Sequence, residues 1–330
     1  MDSRLTKRRL SDFLAYEWIL MLVIIVVAIV VMELIYTVTA TRTTTGQVFK
    51  YYYDQDLYTY DESDGFYNLL KVTPAENGKT FSYDVLSVES ENLVSSYNVL
   101  SIRLSVQEGD AVFTSSFEDE ESGVKSRAKE IIDTQKVYAL KDLLADAKEY
   151  LSQFVKGGGD IYKEEDYDAE KIYAYFNERM KKDNRFRSEE DKADGRIKEE
   201  VRIKKLAKDT CDFEKLLNSE NSALFYEYTK YEQSAKNDNT RDKTYETLYG
   251  KEVEEGREDL AYGINLSALT YSADKTEKHD VSKYFKLNGR TDAENVVLLI
   301  FDFKDYQPDL QYETISFIDT IVRECSDILG

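Results

Sequence analysis

From Trp18 to Met32 every position is apolar, and after Glu33 the apolar character continues through Leu34, Ile35 and Tyr36 to Ala40. A helix over 18–40 would be about 34 Å long at 1.5 Å per residue, enough to span a bilayer. Beyond residue 46 the pattern breaks into short elements. Val48 to Tyr53 is rich in aromatic residues and runs into Asp54-Gln55-Asp56, which predicts a strand and then a loop. Phe81, Tyr83 and Val85 alternate, and Leu86 and Val88 extend the run, predicting a second strand over about 80–89. Leu93, Tyr97, Leu100 and Leu104 share one helical face, although Leu100, Ile102, Leu104 and Val106 also alternate. The longer series predicts a helix, which Glu108-Gly109-Asp110 ends before a short strand from Ala111 to Thr114.

Between 126 and 155, Ile131, Ile132, Val137, Leu140, Leu143, Leu144, Ala147, Leu151 and Phe154 predict one or two helices, closed by Gly157-Gly158-Gly159. The stretch from 155 to 260 is dense in charge, with narrow stripes at Ile172, Tyr175 and Phe176, at Ile197, Val201 and Leu206, and at Phe213, Leu216 and Leu217. Solvated helices are expected there, forming a lobe or an insertion. Tyr226, Tyr228 and Tyr231 read as packing surface. Tyr262 to Leu266 predicts a strand, and Val296 to Phe301 predicts one covered on both faces. A helix follows Pro308, with Asp309 as its expected cap and Ile318, Ile321, Val322, Cys325, Ile328 and Leu329 on its core face.

The charge distribution assigns the first run a role. Arg4, Lys7, Arg8 and Arg9 precede it, whereas only Arg42 and Lys50 follow closely, so the expected orientation has residues 1–17 in the cytoplasm. Residues 18–40 would then cross the cell membrane as a single span, with 41–330 as an extracytoplasmic α/β domain. A signal peptide cut after Ala40 is the alternative, because Val38-Thr39-Ala40 ends in small residues, but the run is long for a signal core. Glu33 would either pair with another transmembrane helix or reach water at the interface. Residues 1–40 hold four basic and four acidic side chains, so the net charge of −20 belongs to the domain beyond. Such a surface repels nucleic acid and anionic lipid headgroups.

Chemistry-bearing motifs are sparse. His279, the single histidine, lies in the polar stretch Glu277-Lys278-His279-Asp280, which excludes a multi-histidine metal site. No nucleophile elbow is present. Asn77-Gly78-Lys79-Thr80 resembles the end of a phosphate loop, but Thr73 stands where the first glycine is needed. Asp54 with Asp56 and Asp166 with Asp168 lack the glycine and distal glutamate of a calcium loop. With 64 acidic residues, close carboxylate pairs arise by chance and do not nominate a glycosidase. No cofactor, metal or catalytic activity is expected. Cys211 and Cys325 are too far apart in sequence to specify a disulfide.

The segments "FSYDVLSVES" and "YNVLSIRLSVQEGDAVFTSS" resemble the first lobe of extracellular solute-binding proteins of the two-lobed periplasmic type. "AYGINLSAL" is similar to that family's return between lobes, and "LQYETISFIDTIVREC" to its C-terminal helix. The Tyr-Glu-Trp entry to the apolar run and the Thr-Val-Thr-Ala-Thr-Arg exit are also similar to a group of membrane-anchored bacterial proteins. The resemblance implies a two-lobed α/β fold with a largely helical, charged middle region, serving an importer of the ABC type or a sensor beside a membrane permease. A ligand would lie beyond the carboxyl ends of the strands. The implied contacts are Tyr52, Tyr53 and Asp54, Glu89 and Ser90, and Ser115 and Ser116, a set suited to a sugar or a cationic solute. The competing expectation is that the tyrosines pack on helices and the protein is a non-catalytic interaction or scaffold subunit of a membrane complex.

Overall fold

A computed structural model of the chain describes residues 18–39, 47–54, 57–59, 80–93, 97–118, 121, 126–183, 185–219, 221–228, 260–269, 285–287, 295–305 and 307–325. His279, Tyr231, Asn77-Gly78-Lys79, Ile328 and Leu329 lie outside them. Residues Met1–Arg42 and Thr43–Gly330 are separate compact units. The first contains α1 (Trp18–Thr39), a helix of 22 residues whose described side chains, 22–32, are all exposed. Among the residues described with their side chains, no helix is long and apolar enough to cross a membrane. The backbone of α1 continues on both sides of that described stretch.

The second unit is mixed α/β. Its six-stranded sheet has the order β3-β1-β4-β8-β6-β5, with β1 Val48–Tyr53, β3 Ser87–Asn92, β4 Ala111–Ser115, β5 Phe225–Tyr228, β6 Leu260–Asn265 and β8 Val296–Ile300. β2 (Leu57–Thr59) and β7 (Phe285–Leu287) form a separate antiparallel pair. β1 runs parallel to both of its neighbours, β3 and β4, whereas β8 is antiparallel to β4 and β6.

The period of two in β1 decides which layer each aromatic ring enters. Phe49, Tyr51 and Tyr53 face a core shared with α4 (Leu140–Ser152), α5 (Ala169–Arg179), α6 (Glu189–Leu217) and α7 (Pro308–Cys325). Tyr52 faces the other side, with Leu100 of α2 (Tyr97–Ser105) and Ala128, Ile131 and Ile132 of α3 (Arg127–Thr134). Phe317 of α7 is the hub of the larger core, with ring centroids 4.8 Å from Phe49 and 5.9 Å from Phe81. All five residues of β8 are buried, as its unbroken apolar sequence requires.

The expected strand over 80–89 is displaced to Ser87–Asn92, and 80–86 forms turns instead. Phe81 and Val85 still reach the core, but the polar residues between them are captured by helices. The Ser82 amide donates to Glu313 at 3.0 Å, Tyr83 donates to Glu199 at 2.7 Å, and Asp84 pairs with Arg179 and Arg185. These partners sit around Arg202, whose guanidinium contacts Glu199 at 2.9 Å, the Tyr150 hydroxyl at 2.5 Å and Asp309 at 3.3 Å.

The charged middle region therefore differs from the expectation of solvated helices. α6 buries Glu199, Arg202, Asp209 and Asp212 on its inner face, while Ile197 and Val201 point outward. The stretch also contributes β5, whose Tyr226 and Tyr228 pack on the smaller core. α7 begins at Pro308, a position suited to a residue without an N–H. Asp309 accepts from the hydroxyls of Tyr150 at 2.7 Å and Tyr175 at 2.8 Å, a role different from the expected cap. Cys211 is a free thiol.

Removing one member of a buried ion network leaves its partners charged and dry. Arg202→Ala is expected to lower unfolding stability by about 3–5 kcal/mol, measured by urea denaturation. A loss no larger than that of an exposed Lys→Ala control would show that the network does not hold α6 against α7.

Candidate functional site

The direction in which the chain leaves a parallel sheet fixes where loops gather. β1 pairs with β3 on one side and β4 on the other, so β1 is the topological switch point of the sheet. Asp54 immediately follows it and is only 4% exposed. Its amide donates to the Phe113 carbonyl at 3.0 Å, holding the carboxylate against the end of β4. Asp54 Oδ2 accepts from Thr114 Oγ1 and from Arg127 Nε, each at 2.9 Å, and Oδ1 has no hydrogen-bond partner among the described residues.

Arg127 is placed by the start of α3. The N-cap Ser126 accepts from the Lys129 amide at 3.3 Å and its hydroxyl lies 3.2 Å from that of Tyr226, so sequence-local capping and a cross-sheet contact set the same backbone. Arg127 also pairs with Glu130 at 2.6 Å. Burial opposes the guanidinium charge, but the field of Asp54 and the bonds to both carboxylates outweigh it and raise the Arg127 pKa. The result is a fixed guanidinium–carboxylate pair at the carboxyl end of β1.

The residues expected at this edge divide into three groups. Asp54, Ser115 and Ser116 lie there. Ser115 Oγ accepts from the Phe117 amide at 3.1 Å, and Ser116 binds the Asn295 carbonyl through its amide at 2.8 Å and its hydroxyl at 3.1 Å. Tyr52 and Tyr53 lie inside β1 instead, both buried, because the strand runs to its last aromatic residue before turning. Tyr53 stacks on Phe113 at 5.5 Å, and the Tyr52 hydroxyl donates to the Glu108 carbonyl at 3.2 Å. These two tyrosines serve packing. Glu89 and Ser90 are mid-strand in β3, opposite Lys50 and Tyr51, a consequence of the displaced strand boundary. Thr114 and Arg127 were not anticipated. The signal for Arg127 was the Ser-Arg-Ala-Lys-Glu start of a helix, together with the need of a buried Asp54 for a cation.

The amino ends of β1 and β4 carry a second polar cluster. Lys50 lies 3.1 Å from Glu91 and 3.5 Å from Glu108, and Arg103 bridges the same two carboxylates at 2.8 and 3.1 Å. Gly109, at φ +106°, brings the backbone beneath the Tyr52 ring, where a Cβ would fall 2.1 Å from Cε2. Asp110 follows in the turn and is 6% exposed, accepting from the Lys50 amide at 2.7 Å. Burial pushes its pKa up to about 7, and the amide bond only partly offsets this.

Among the described residues no group of three or more His, Cys, Asp or Glu side chains is arranged to hold a metal ion. No family model, no curated protein and no solved structure matches the chain.

Asp110 is neutral in the fold at a pH where an unfolded aspartate, with its pKa near 3.9, is ionised. Its stabilising contribution is full below that unfolded value and is lost progressively as pH rises through about 7. Asp110→Asn should therefore gain on the wild type by up to about 1.4 kcal/mol per pH unit between pH 5 and 7, then level off. Thermal unfolding of both proteins from pH 5 to 8.5 checks this. A difference independent of pH would show that Asp110 titrates normally.

Proposed function

We propose that this protein is a membrane-tethered, non-catalytic binding module of the solute-binding kind, with α1 as its anchor. The observation that carries the reading is the Asp54–Arg127 pair at the switch point of the sheet. Open α/β sheets bind ligands beyond the carboxyl ends of their strands at this point. Arg127, Ser115 and Ser116 would supply donors and acceptors for a small polar solute, with the buried Thr114 and Asp54 holding the guanidinium in place. In a two-lobed arrangement this edge forms one wall of the cleft. The anchor is supported by the apolar sequence of the 22-residue α1, and the basic residues before it favour a cytoplasmic N-terminus. The module would then deliver solute to a permease or report it to a sensor.

A second reading, an interaction subunit of a membrane complex, draws on two exposed apolar pairs at i, i+4 spacing. They are Ile102 with Val106, and Ile197 with Val201, all between 57% and 62% exposed. Crosslinking in membranes tests this reading: adducts formed from cysteines at 102 and 197 would favour it.

For the leading reading, the full chain in a neutral detergent is heated with sugars, amino acids, short peptides and metal ions in turn. A ligand at 100 times its dissociation constant should add about 2.7 kcal/mol of stability, which reads as a rise of several degrees in Tm. Arg127→Lys keeps a positive charge facing Asp54 but removes the planar fork, and should weaken the response about tenfold. No response to any ligand class, or an undiminished response in Arg127→Lys, would sink the proposed site.

A further inference from the structure

At the amino ends of β1 and β4, opposite the site just proposed, lies a pocket of about 110 Å³ lined by Val48, Lys50, Glu89, Gln107, Glu108, Gly109, Asp110 and Gln307. We propose that this pocket binds a small organic ammonium group, with Asp110 and Glu89 as its principal acceptors.

Charge selects the class. Among the described residues Lys50 is the one cation lining the pocket, and its ammonium already lies against Glu91 and Glu108. An anion would therefore meet Glu89, Glu108 and Asp110 without a free positive partner. Glu89 has no ion pair among the described residues, and the side-chain amides of Gln107 and Gln307 have no hydrogen bonds there. Asp110, 6% exposed, uses only Oδ2 toward the Lys50 amide. Its Oδ1 accepts nothing among the described residues.

An ammonium offers three donors and no acceptor, which complements the two carboxylates, and the amides of Gln107 and Gln307 can each turn a carbonyl toward it. Size narrows the class further. A cavity of about 150 Å³ is filled by benzene, so the inner space of this open-sided pocket holds roughly six heavy atoms at most, and any larger part of a ligand would extend into solvent. The backbone that forms the wall is set by Gly109, whose positive φ and contact with Tyr52 leave no room for a side chain.

Protons compete with such a ligand at Asp110. The charged groups facing it are Lys50 of β1, Glu89 and Glu91 of β3, Arg103 of α2 and Glu108 of the preceding turn. With Asp110 ionising near 7, binding should be about tenfold tighter at pH 8 than at pH 6.

The test is isothermal titration of the full chain in neutral detergent at pH 8 with ethanolamine, putrescine and the peptide Gly-Lys-Gly, against sodium and ammonium chloride at equal ionic strength. Saturable binding of an organic amine, weakened about tenfold or more in Glu89→Gln/Asp110→Asn and unchanged in Arg127→Lys, is expected. Uptake of the peptide alone would assign the ammonium to a lysine side chain of a partner and still support the pocket. Asp110→Asn alone, which removes a buried ionisable group, serves as the folding control through its melting temperature. Absence of saturable heat, equal binding of sodium or ammonium chloride, or full affinity in the folded double variant would overturn the proposal.

Discussion

The packing of the helical layer turns on one buried cation. Arg202 is 2% exposed and contacts Glu199 in its own helix, Asp309 at the start of α7 and the Tyr150 hydroxyl in α4. Glu199 then accepts from Arg179 of α5 at 2.6 Å, and Arg179 reaches Asp84 in the turns before β3. One guanidinium thus ties its own helix to α4 and α7 directly and, through Glu199, to α5 and the approach to an edge strand. Such a network adds little net free energy over an apolar replacement of the same shape, because desolvation offsets most of the attraction. Its effect is geometric: any sliding of α6 along α7 would strand several charges in a dry interior. That restriction fixes α7, and with it Phe317, the ring on which the aromatic face of β1 packs.

The same strand carries the consequences to both polar ends. Because β1 is central and parallel to its neighbours, its alternate residues are committed to two cores and only its termini are free for recognition. Asp54 at one end is held by β4 and α3, and Lys50 near the other is held by β3 and the turn at 107–110. Neither group is carried on a long loop, so the positions of both follow from sheet register, which a buried sheet specifies strongly.

Much of this architecture was legible in the sequence, and the failures have a common cause. β1 matched its expected limits because an aromatic run that follows a polar stretch and ends at Asp54 has few alternatives. β8 was equally plain as an unbroken apolar run, and helix over 126–155 followed from one apolar period, although one helix or two was left open. Reading failed where polar residues are inside. The stripe of Ile197 and Val201 looked like a core face, yet the buried face of α6 runs through Glu199, Arg202, Ile203 and Leu206. Phe81, Tyr83 and Val85 looked like a strand because alternation does not reveal that Ser82, Tyr83 and Asp84 bond to helices far along the chain. Five of the seven expected contact residues fell inside strands: the end of β3 was set too early, the last tyrosines of β1 were needed for packing, and β4 runs one residue further, to Ser115.

The distribution of arginine bears on what this acidic domain attracts. Arg127, Arg179, Arg185, Arg202 and Arg323 all bind carboxylates within the fold, where a planar fork satisfies two oxygens at once and a lysine would satisfy fewer. Their positive charge is therefore largely cancelled locally by Asp54, Glu199, Asp84 and Asp319. The net charge of −20 must then be expressed mostly outward. A negative outward field concentrates cations near the surface and slows the approach of anions. That field acts on both candidate sites before any contact is made, and it favours solutes carrying an amine over those carrying a carboxylate or phosphate.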